Sequence, residues 1–161
     1  SMGTGLAETI GVSKSNVFSK YICIIGDGSI LMNIQDLQTI KQDNINVIIC
    51  IINNNGYLAI RNTQNEFLEG KLYGTHPDWN LTMPSFEKIA YGFDISYVCL
   101  DKTHNVNKVV KDLLSSTGPV ICEVFVDENQ EVLFRQGYAH NKDGTFSPQS
   151  LYEMAPFMKL N

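Results

Sequence analysis

Four short apolar stretches, rich in isoleucine and valine, lie along the chain without the polar alternation of a half-exposed strand. They span residues 20–26, 46–52, 95–100 and 120–126. Continuous apolar runs of this length predict strands that are covered on both faces, as in a parallel sheet.

Between these stretches, apolar residues return at helical spacing. The clearest pattern lies in residues 105–116, where Val106, Val109, Val110 and Leu113 follow the i, i+3, i+4, i+7 rule. Further helices are predicted over residues 6–12, 30–42 and 85–91. Strands that alternate with helices predict an α/β fold of three α/β/α layers around a mainly parallel sheet.

Two segments match no regular element. Residues 67–83 contain Gly70 and Gly74 and predict a long loop, which is often a functional feature. Residues 127–161 predict an irregular C-terminal tail. The chain as a whole, residues 1–161, is predicted to form a single domain.

Composition narrows the possible partners. The chain has 161 residues, is 43% hydrophobic and carries a net charge of −5, which argues against a nucleic-acid backbone as partner. Its apolar runs are too short for a transmembrane helix, which argues against a membrane-spanning protein.

The four cysteines each lie in an apolar run without metal-like spacing. This pattern predicts reduced thiols packed as small apolar side chains, as expected of a cytoplasmic protein.

Two polar motifs follow neighbouring predicted strands. The first is Gly26-Asp27-Gly28-Ser29, and the second is Asn-Asn-Asn-Gly-Tyr at residues 53–57, with residues 29–52, 24 in all, between them. Ligands of open α/β sheets bind outside the carboxyl ends of the strands. The two motifs are therefore expected to face one crevice.

The residue types in these motifs suit a metal-bound diphosphate. The Asp27 carboxylate and the Asn54 amide oxygen are hard ligands of the kind that Mg²⁺ prefers, and Gly56 can offer its backbone carbonyl. Gly28 lets an anion approach the backbone closely. Ser29 begins a predicted helix whose free N–H groups favour phosphate. A dinucleotide site is disfavoured, because the sequence SILMN after Gly28 lacks the third glycine of GxGxxG.

The spacing of the two motifs resembles the thiamin-diphosphate motif, GDG followed by about two dozen residues and NN. Residues 26–57 are similar to acetolactate synthase and to the 2-oxoacid decarboxylases. Residues 1–11 are similar to the segment that opens the diphosphate-binding domain in this group, and residues 118–127 suit its last strand. The resemblance implies the thiamin-diphosphate-binding fold, with thiamin diphosphate and Mg²⁺ as cofactors.

The resemblance also implies roles for individual residues. The metal ligands would be Asp27, the side chain of Asn54 and the backbone oxygen of Gly56. Met2 would be the bulky apolar residue that wedges the cofactor into its bent conformation. The positions matched to cofactor binding are Met2, Gly3, Gly26, Asp27, Gly28, Ser29, Asn54, Gly56 and Tyr57.

A glutamate that activates the cofactor is expected on a pyrimidine-binding domain, from the same or another subunit, and no segment here resembles that domain. No catalytic residue is therefore assigned in this chain. The resemblance implies the C-terminal part of a longer homo-oligomeric enzyme, a transferase or lyase that decarboxylates a 2-oxoacid in an acetolactate-synthase-like reaction. The chain alone is expected to be inactive. The alternatives are a subunit of a split 2-oxoacid decarboxylase and a non-catalytic module for ligand binding or association.

The roles of several other polar residues are left undecided by the sequence. Arg61 and Gln64 follow Tyr57 and either face the substrate or lie on an exposed helix face or subunit contact. His76, His104 and His140 are dispersed along the chain and are expected at the surface or in loops.

Overall fold

The computed structural model describes residues 1–130, 135–152 and 154–155. The chain divides into two compact units, Ser1–Asn129 and the segment that begins at Gln130.

The first unit is built on a four-stranded sheet in which every pair of neighbours is parallel. The strands are β1 (Tyr21–Gly26), β2 (Val47–Asn53), β3 (Ser96–Leu100) and β4 (Val120–Phe125), in the order β1-β2-β4-β3. All four coincide with the predicted apolar stretches, so the parallel α/β fold is confirmed.

Six helices connect and cover these strands. They are α1 (Gly5–Ser13), α2 (Asp27–Ile30), α3 (Asp36–Gln42), α4 (Leu58–Phe67), α5 (Phe86–Gly92) and α6 (Val106–Ser115), with 3₁₀ turns at Leu31–Asn33 and Pro77–Trp79. Among the described residues, none of the helices has the length and apolar character needed to cross a membrane.

The structure departs from the predicted helices at two places. The single helix predicted over residues 30–42 is interrupted after α2. Backbone hydrogen bonds between residues three apart, such as that from the Leu37 N–H to the Ile34 carbonyl, tighten the chain there before α3 begins. Helix α4 was not predicted because its sequence is largely polar and buries only Arg61, so no apolar stripe marks it.

The sheet is covered on both faces, which gives the predicted three layers. On one face, α1, α3 and α5 contribute fully buried apolar side chains to the main core, namely Leu6, Leu37, Ile40, Phe86 and Ala90. On the other face, α6 places Leu113 over Ile48, Val120 and Cys122.

Strand β1 is the exception to coverage on both faces. Ile22 and Ile24 point away from the main core and are 58% and 73% exposed. Because β1 is an edge strand and the apolar cluster under α6 is formed by the other three strands, this end of the second face is open. The prediction that this apolar run is buried on both faces is therefore wrong for β1.

The second unit contains two short antiparallel pairs within the predicted irregular tail. One joins β5 (Arg135–Gln136) to β8 (Met154–Ala155), and the other joins β6 (Tyr138–His140) to β7 (Phe146–Pro148). Residues 131–134, 153 and 156–161 of that prediction lie outside the described residues.

Helix α5 offers a test of the main core. Phe86→Ala is expected to lower the free energy of unfolding by about 3–5 kcal/mol, because the ring is fully buried and its removal leaves a cavity. Tyr91→Ala on the same helix removes a ring that is 87% exposed and should change it by less than about 0.5 kcal/mol. Urea unfolding of both variants measures the difference, and equal losses would contradict the packing described here.

Candidate functional site

One buried carboxylate joins the two motifs. Asp27 follows β1 directly and is only 1% exposed. Its Oδ1 atom accepts a hydrogen bond of 2.8 Å from the Gly28 amide, and its Oδ2 atom accepts one of 2.8 Å from the Gly56 amide. Since Gly56 lies just beyond β2, the carboxyl ends of the two strands meet at this side chain, as the sequence predicts.

The surroundings of Asp27 disfavour an isolated negative charge. Burial raises the pKa of the Asp27 carboxyl, and the amides of Gly56 and Gly28 together with the charge of Arg61 offset this only in part. Each carboxylate oxygen keeps lone-pair capacity beyond the amide that it accepts. A cation bound beside Asp27 would therefore relieve the cost of burying the charge.

Asn54 carries a buried acceptor without a partner. Its Oδ1 atom is inaccessible to solvent and makes no hydrogen bond with the described residues. Its neighbours differ, because Asn53 Oδ1 accepts from the Asn55 amide at 2.9 Å and Asn55 Nδ2 donates to Glu128 Oε2 at 3.2 Å. Buried polar atoms are nearly always paired. The Asn54 oxygen shares its unpaired state with the Tyr21 hydroxyl and Asn46 Oδ1, and of these three atoms it is the one that lies in the NNNGY loop, where it is an open ligand position.

The loop between β2 and α4 requires glycine at position 56. Asn55 and Gly56 both have positive φ, 60° and 127°. A Cβ atom on residue 56 would lie 2.6 Å from Leu81 Cδ2 and 2.8 Å from the Thr75 carbonyl oxygen, closer than such atoms approach. Only glycine allows this backbone to reach Asp27.

Glycine at position 28 has a steric reason as well. A Cβ atom there would lie 2.4 Å from Cε1 of the Tyr57 ring. Gly28 is predicted to let an anion approach its backbone, and in the structure the Tyr57 ring packs closely against that backbone. These two matched positions are therefore in contact.

The N-terminal residues approach the same motif. The Gly3 amide donates a 2.8 Å hydrogen bond to Ser29 Oγ, and Gly3 itself is buried. Met2 is 44% exposed. Gly26 lies at the N-cap of α2 with extended backbone. The structure thus brings Gly3, Ser29 and the first motif together, while the cofactor-wedging role of Met2 stays a prediction.

Arg61 supports the loop that carries Asn54 and Asn55, and this role was not predicted from the sequence. It is buried, and its guanidinium donates to four backbone carbonyls at 2.9–3.1 Å, those of Asn54, Asn55, Thr75 and Glu128. An exposed helix face is therefore wrong for Arg61. No local pattern marks it, because two of its four acceptors, Thr75 and Glu128, are 14 and 67 residues away in the sequence.

Gln64 ties the long loop to α4. Its Nε2 atom donates to the Tyr73 carbonyl at 3.1 Å, and its Oε1 atom accepts from Thr75 Oγ1 at 2.6 Å. Part of the loop predicted over residues 67–83 is thereby fixed against the helix that follows the second motif.

Glu123 is a second residue that the sequence analysis missed. This buried carboxylate on β4 accepts hydrogen bonds from Asn53 Nδ2 and the Tyr97 hydroxyl, both at 2.5 Å. Asn53 in turn holds the Asn55 amide, so Glu123 orients the start of the NNNGY loop. A glutamate inside the apolar run VICEVFV was the available signal.

The histidines lie in turns or on the surface. His76 caps the turn at Pro77–Trp79, where its Nδ1 atom accepts from the Asp78 amide. His104 lies beside Asp101 and Cys99, with ligand atoms within 4.8 Å of one another. The Asp101 carboxylate is engaged there by the hydroxyl and amide of Thr103 and by His104, and these hydrogen bonds lower the pKa of Asp101 to about 2.

The fold and the site together define a class. A parallel α/β sheet with a buried carboxylate and an unpartnered amide oxygen at adjacent carboxyl strand ends is a ligand-binding α/β domain of the nucleotide- and cofactor-binding type. Residues 1–124 match the family model for the C-terminal TPP binding domain of thiamine pyrophosphate enzymes. The chain belongs to this family, which confirms the resemblance stated from the motifs.

Individual relatives agree with this assignment. The acetolactate synthase large subunit of Porphyra purpurea is 34% identical over 129 residues, which is 80% of this chain and 22% of that protein. The acetolactate synthase isozyme 1 large subunit of Escherichia coli K12 is 30% identical over 132 residues, 81% of this chain and 23% of that protein. The chain therefore spans less than a quarter of the length of these relatives.

A solved structure shares the fold. The thiamine diphosphate-dependent 4-hydroxybenzoylformate decarboxylase of Rhodococcus jostii RHA1 superposes with a TM-score of 0.70 at 25% identity, over 81% of this chain and 24% of that one.

The contact between Gly28 and Tyr57 can be tested with a matched pair of glycines. Gly28→Ala is expected to destabilise the protein by about 1–3 kcal/mol, because the new methyl group overlaps the Tyr57 ring. Gly26→Ala, on the other side of Asp27, meets no atom within 4 Å and should be neutral or slightly stabilising. Urea unfolding measures both, and a loss at position 26 as large as that at position 28 would refute the contact.

Proposed function

We propose that this chain binds the diphosphate of thiamin diphosphate through Mg²⁺ held by the Asp27 carboxylate, the Asn54 side-chain oxygen and the Gly56 backbone oxygen. The observation that carries the proposal is the buried Asn54 oxygen, which has no partner among the described residues. It lies in the loop whose Gly56 amide bonds Asp27, so both side chains belong to one connected structure.

The donor set fits a hard divalent cation. All three proposed ligands are oxygens, and Mg²⁺ completes an octahedron with water and phosphate oxygens, which leaves room for a diphosphate. The charge balance agrees, because the cation would compensate both the buried carboxylate and the diphosphate. Gly28, Ser29 and Tyr57 lie next to Asp27 or pack against its neighbour, and they are proposed to contact the diphosphate, with Met2, Gly3 and Gly26 alongside.

The other residues of the site hold this arrangement in place. Arg61 fixes the carbonyl groups of Asn54 and Asn55, and Glu123 fixes Asn53, so the ligand loop is braced on both sides. Bound thiamin diphosphate supplies the electron sink needed to decarboxylate a 2-oxoacid, while the protein binds, orients and shields it.

The parent activity is proposed from the relatives. Since these are acetolactate synthase large subunits and a 4-hydroxybenzoylformate decarboxylase, we propose an acetolactate-synthase-like decarboxylation and carboligation of a 2-oxoacid. The chain would supply the diphosphate half of the active site in a homo-oligomer of the cytoplasm. A pyrimidine-binding domain of the same or another subunit would supply the activating glutamate.

Calorimetric titration with thiamin diphosphate tests the binding proposal. Binding is expected with Mg²⁺ and is expected to be abolished by a chelator. Asp27→Asn and Asn54→Leu should each weaken it at least about 10-fold, because each removes an oxygen ligand or its charge. Asp112→Asn removes the same charge from an exposed position on α6 and should leave the affinity unchanged. Unaltered affinity of the Asp27 variant, or binding without a divalent cation, would refute the ligand assignment.

The absence of an assigned acid or base in this chain leads to a second expectation. The chain loaded with thiamin diphosphate and Mg²⁺ should release no CO₂ from pyruvate or benzoylformate above the level of free cofactor. Sustained CO₂ release that Asp27→Asn abolishes would show instead that this chain is catalytically complete.

A further inference from the structure

Two cysteines face each other on the side of the sheet away from the main core. Cys50 on β2 and Cys122 on β4 are direct partners in the register of neighbouring parallel strands. Both belong to the apolar cluster under α6, in which Cys50 packs against the buried group that contains Cys122. Both are free thiols in the structure.

The register brings the two thiols within bonding reach. Neighbouring strands are about 4.8 Å apart, which lies inside the range of about 4.4–6.8 Å between the Cα atoms of disulfide-bonded cysteines. Each thiol also affects the ionisation of the other, as expected of side chains that lie next to each other. The spacing of paired strands is therefore compatible with a bond between the two sulfur atoms.

Side-chain exposure decreases from β1 through β2 to β4 among the residues that pair with Cys50 in register. Ile24 on β1, the register partner of Cys50, is 73% exposed, Cys50 is half-buried and Cys122 is 1% exposed. The open face of the edge strand thus leads to Cys50 first. Cys50 is thus the more accessible residue of the pair, and Cys122 is buried.

The interaction between the two thiols also makes them unequal. The interaction with Cys122 lowers the pKa of Cys50 below its ordinary value of 9.0, whereas the interaction with Cys50 and burial raise the pKa of Cys122. Because the thiolate is the nucleophile, the accessible cysteine of the pair is also the more reactive one.

We propose that Cys50 and Cys122 form an oxidisable dithiol that a hydroperoxide converts into an intramolecular disulfide. The Cys50 thiolate attacks one peroxide oxygen, the O–O bond breaks, and Cys50 becomes a sulfenic acid as hydroxide leaves and takes up a proton. The Cys122 sulfur then attacks the Cys50 sulfur, its proton goes to the departing oxygen, and a second water leaves. Two thiols are oxidised by two electrons, and one hydrogen peroxide is reduced to two waters.

The remaining cysteines serve as internal controls. Cys23 belongs to the main core on the opposite face, and its register partner is Ile49 rather than Cys50. On β3, Val98 is the register partner of Cys122, and Cys99 is the next residue, paired with Glu123. Because successive side chains of a strand alternate between faces, Cys99 also faces the opposite side. The sheet separates these two thiols from the proposed pair.

The test is oxidation of the full chain with hydrogen peroxide, followed by alkylation and peptide mapping. The number of free thiols is expected to fall from four to two, with Cys50 linked to Cys122 within one molecule and the link reversed by dithiothreitol. Loss of the Cys50 and Cys122 thiols without a link, a link that involves Cys23 or Cys99, or a link between molecules would overturn the proposal. This readout uses the unaltered protein and does not depend on cofactor binding.

Serine variants test the order of events. Cys122→Ser should leave a sulfenic acid on Cys50 that dimedone traps, whereas Cys50→Ser should leave Cys122 unoxidised under the same treatment. Cys23→Ser and Cys99→Ser should form the disulfide at the unaltered rate. Trapping on Cys122 rather than Cys50 would overturn the assigned roles, and circular dichroism confirms beforehand that each variant is folded.

Discussion

The hydrogen bonds of one buried carboxylate hold the site together. Asp27 accepts an amide from its own helix start and another from the loop after the next strand, so the ends of β1 and β2 are tied at one side chain. A carboxylate that is almost fully buried is expensive unless it is compensated. The same side chain that joins the two motifs is therefore also the group that gains most from a bound cation.

Two further buried ionisable residues support the loop that meets Asp27. Arg61 binds carbonyls on one side of the loop and Glu123 binds Asn53 on the other. Their polar atoms are satisfied, whereas the Asn54 oxygen between them is not. The polar groups that shape the loop are thus paired within the protein, and the open acceptor is the one that the metal proposal requires. Pre-organisation of this kind reduces the ordering cost of binding.

Much of the architecture could be predicted because the buried strands of the sheet appear as apolar runs in the sequence. The runs that became β2 and β4 are apolar except for Glu123 and the terminal Asn53. The predicted stripe of α6 packs inward at Val109 and Leu113, whereas Val106 and Val110 are 54% and 42% exposed. The meeting of the two motifs followed from parallel strands having their carboxyl ends at one edge. Helix α4 and the role of Arg61 could not be predicted, since the acceptors that bury this arginine lie at residues 54, 55, 75 and 128. The exposure of Ile24 depends on which strand lies at the edge, and strand order is not a local property.

The bonds of Arg61 have a consequence for the dynamics of the site. One guanidinium connects the ligand loop, the long loop at Thr75 and the segment after β4 at Glu128. Displacement of Arg61 removes a hydrogen bond from each of these three segments at once. We therefore expect their protection against hydrogen exchange to be coupled through this one side chain despite their separation along the chain.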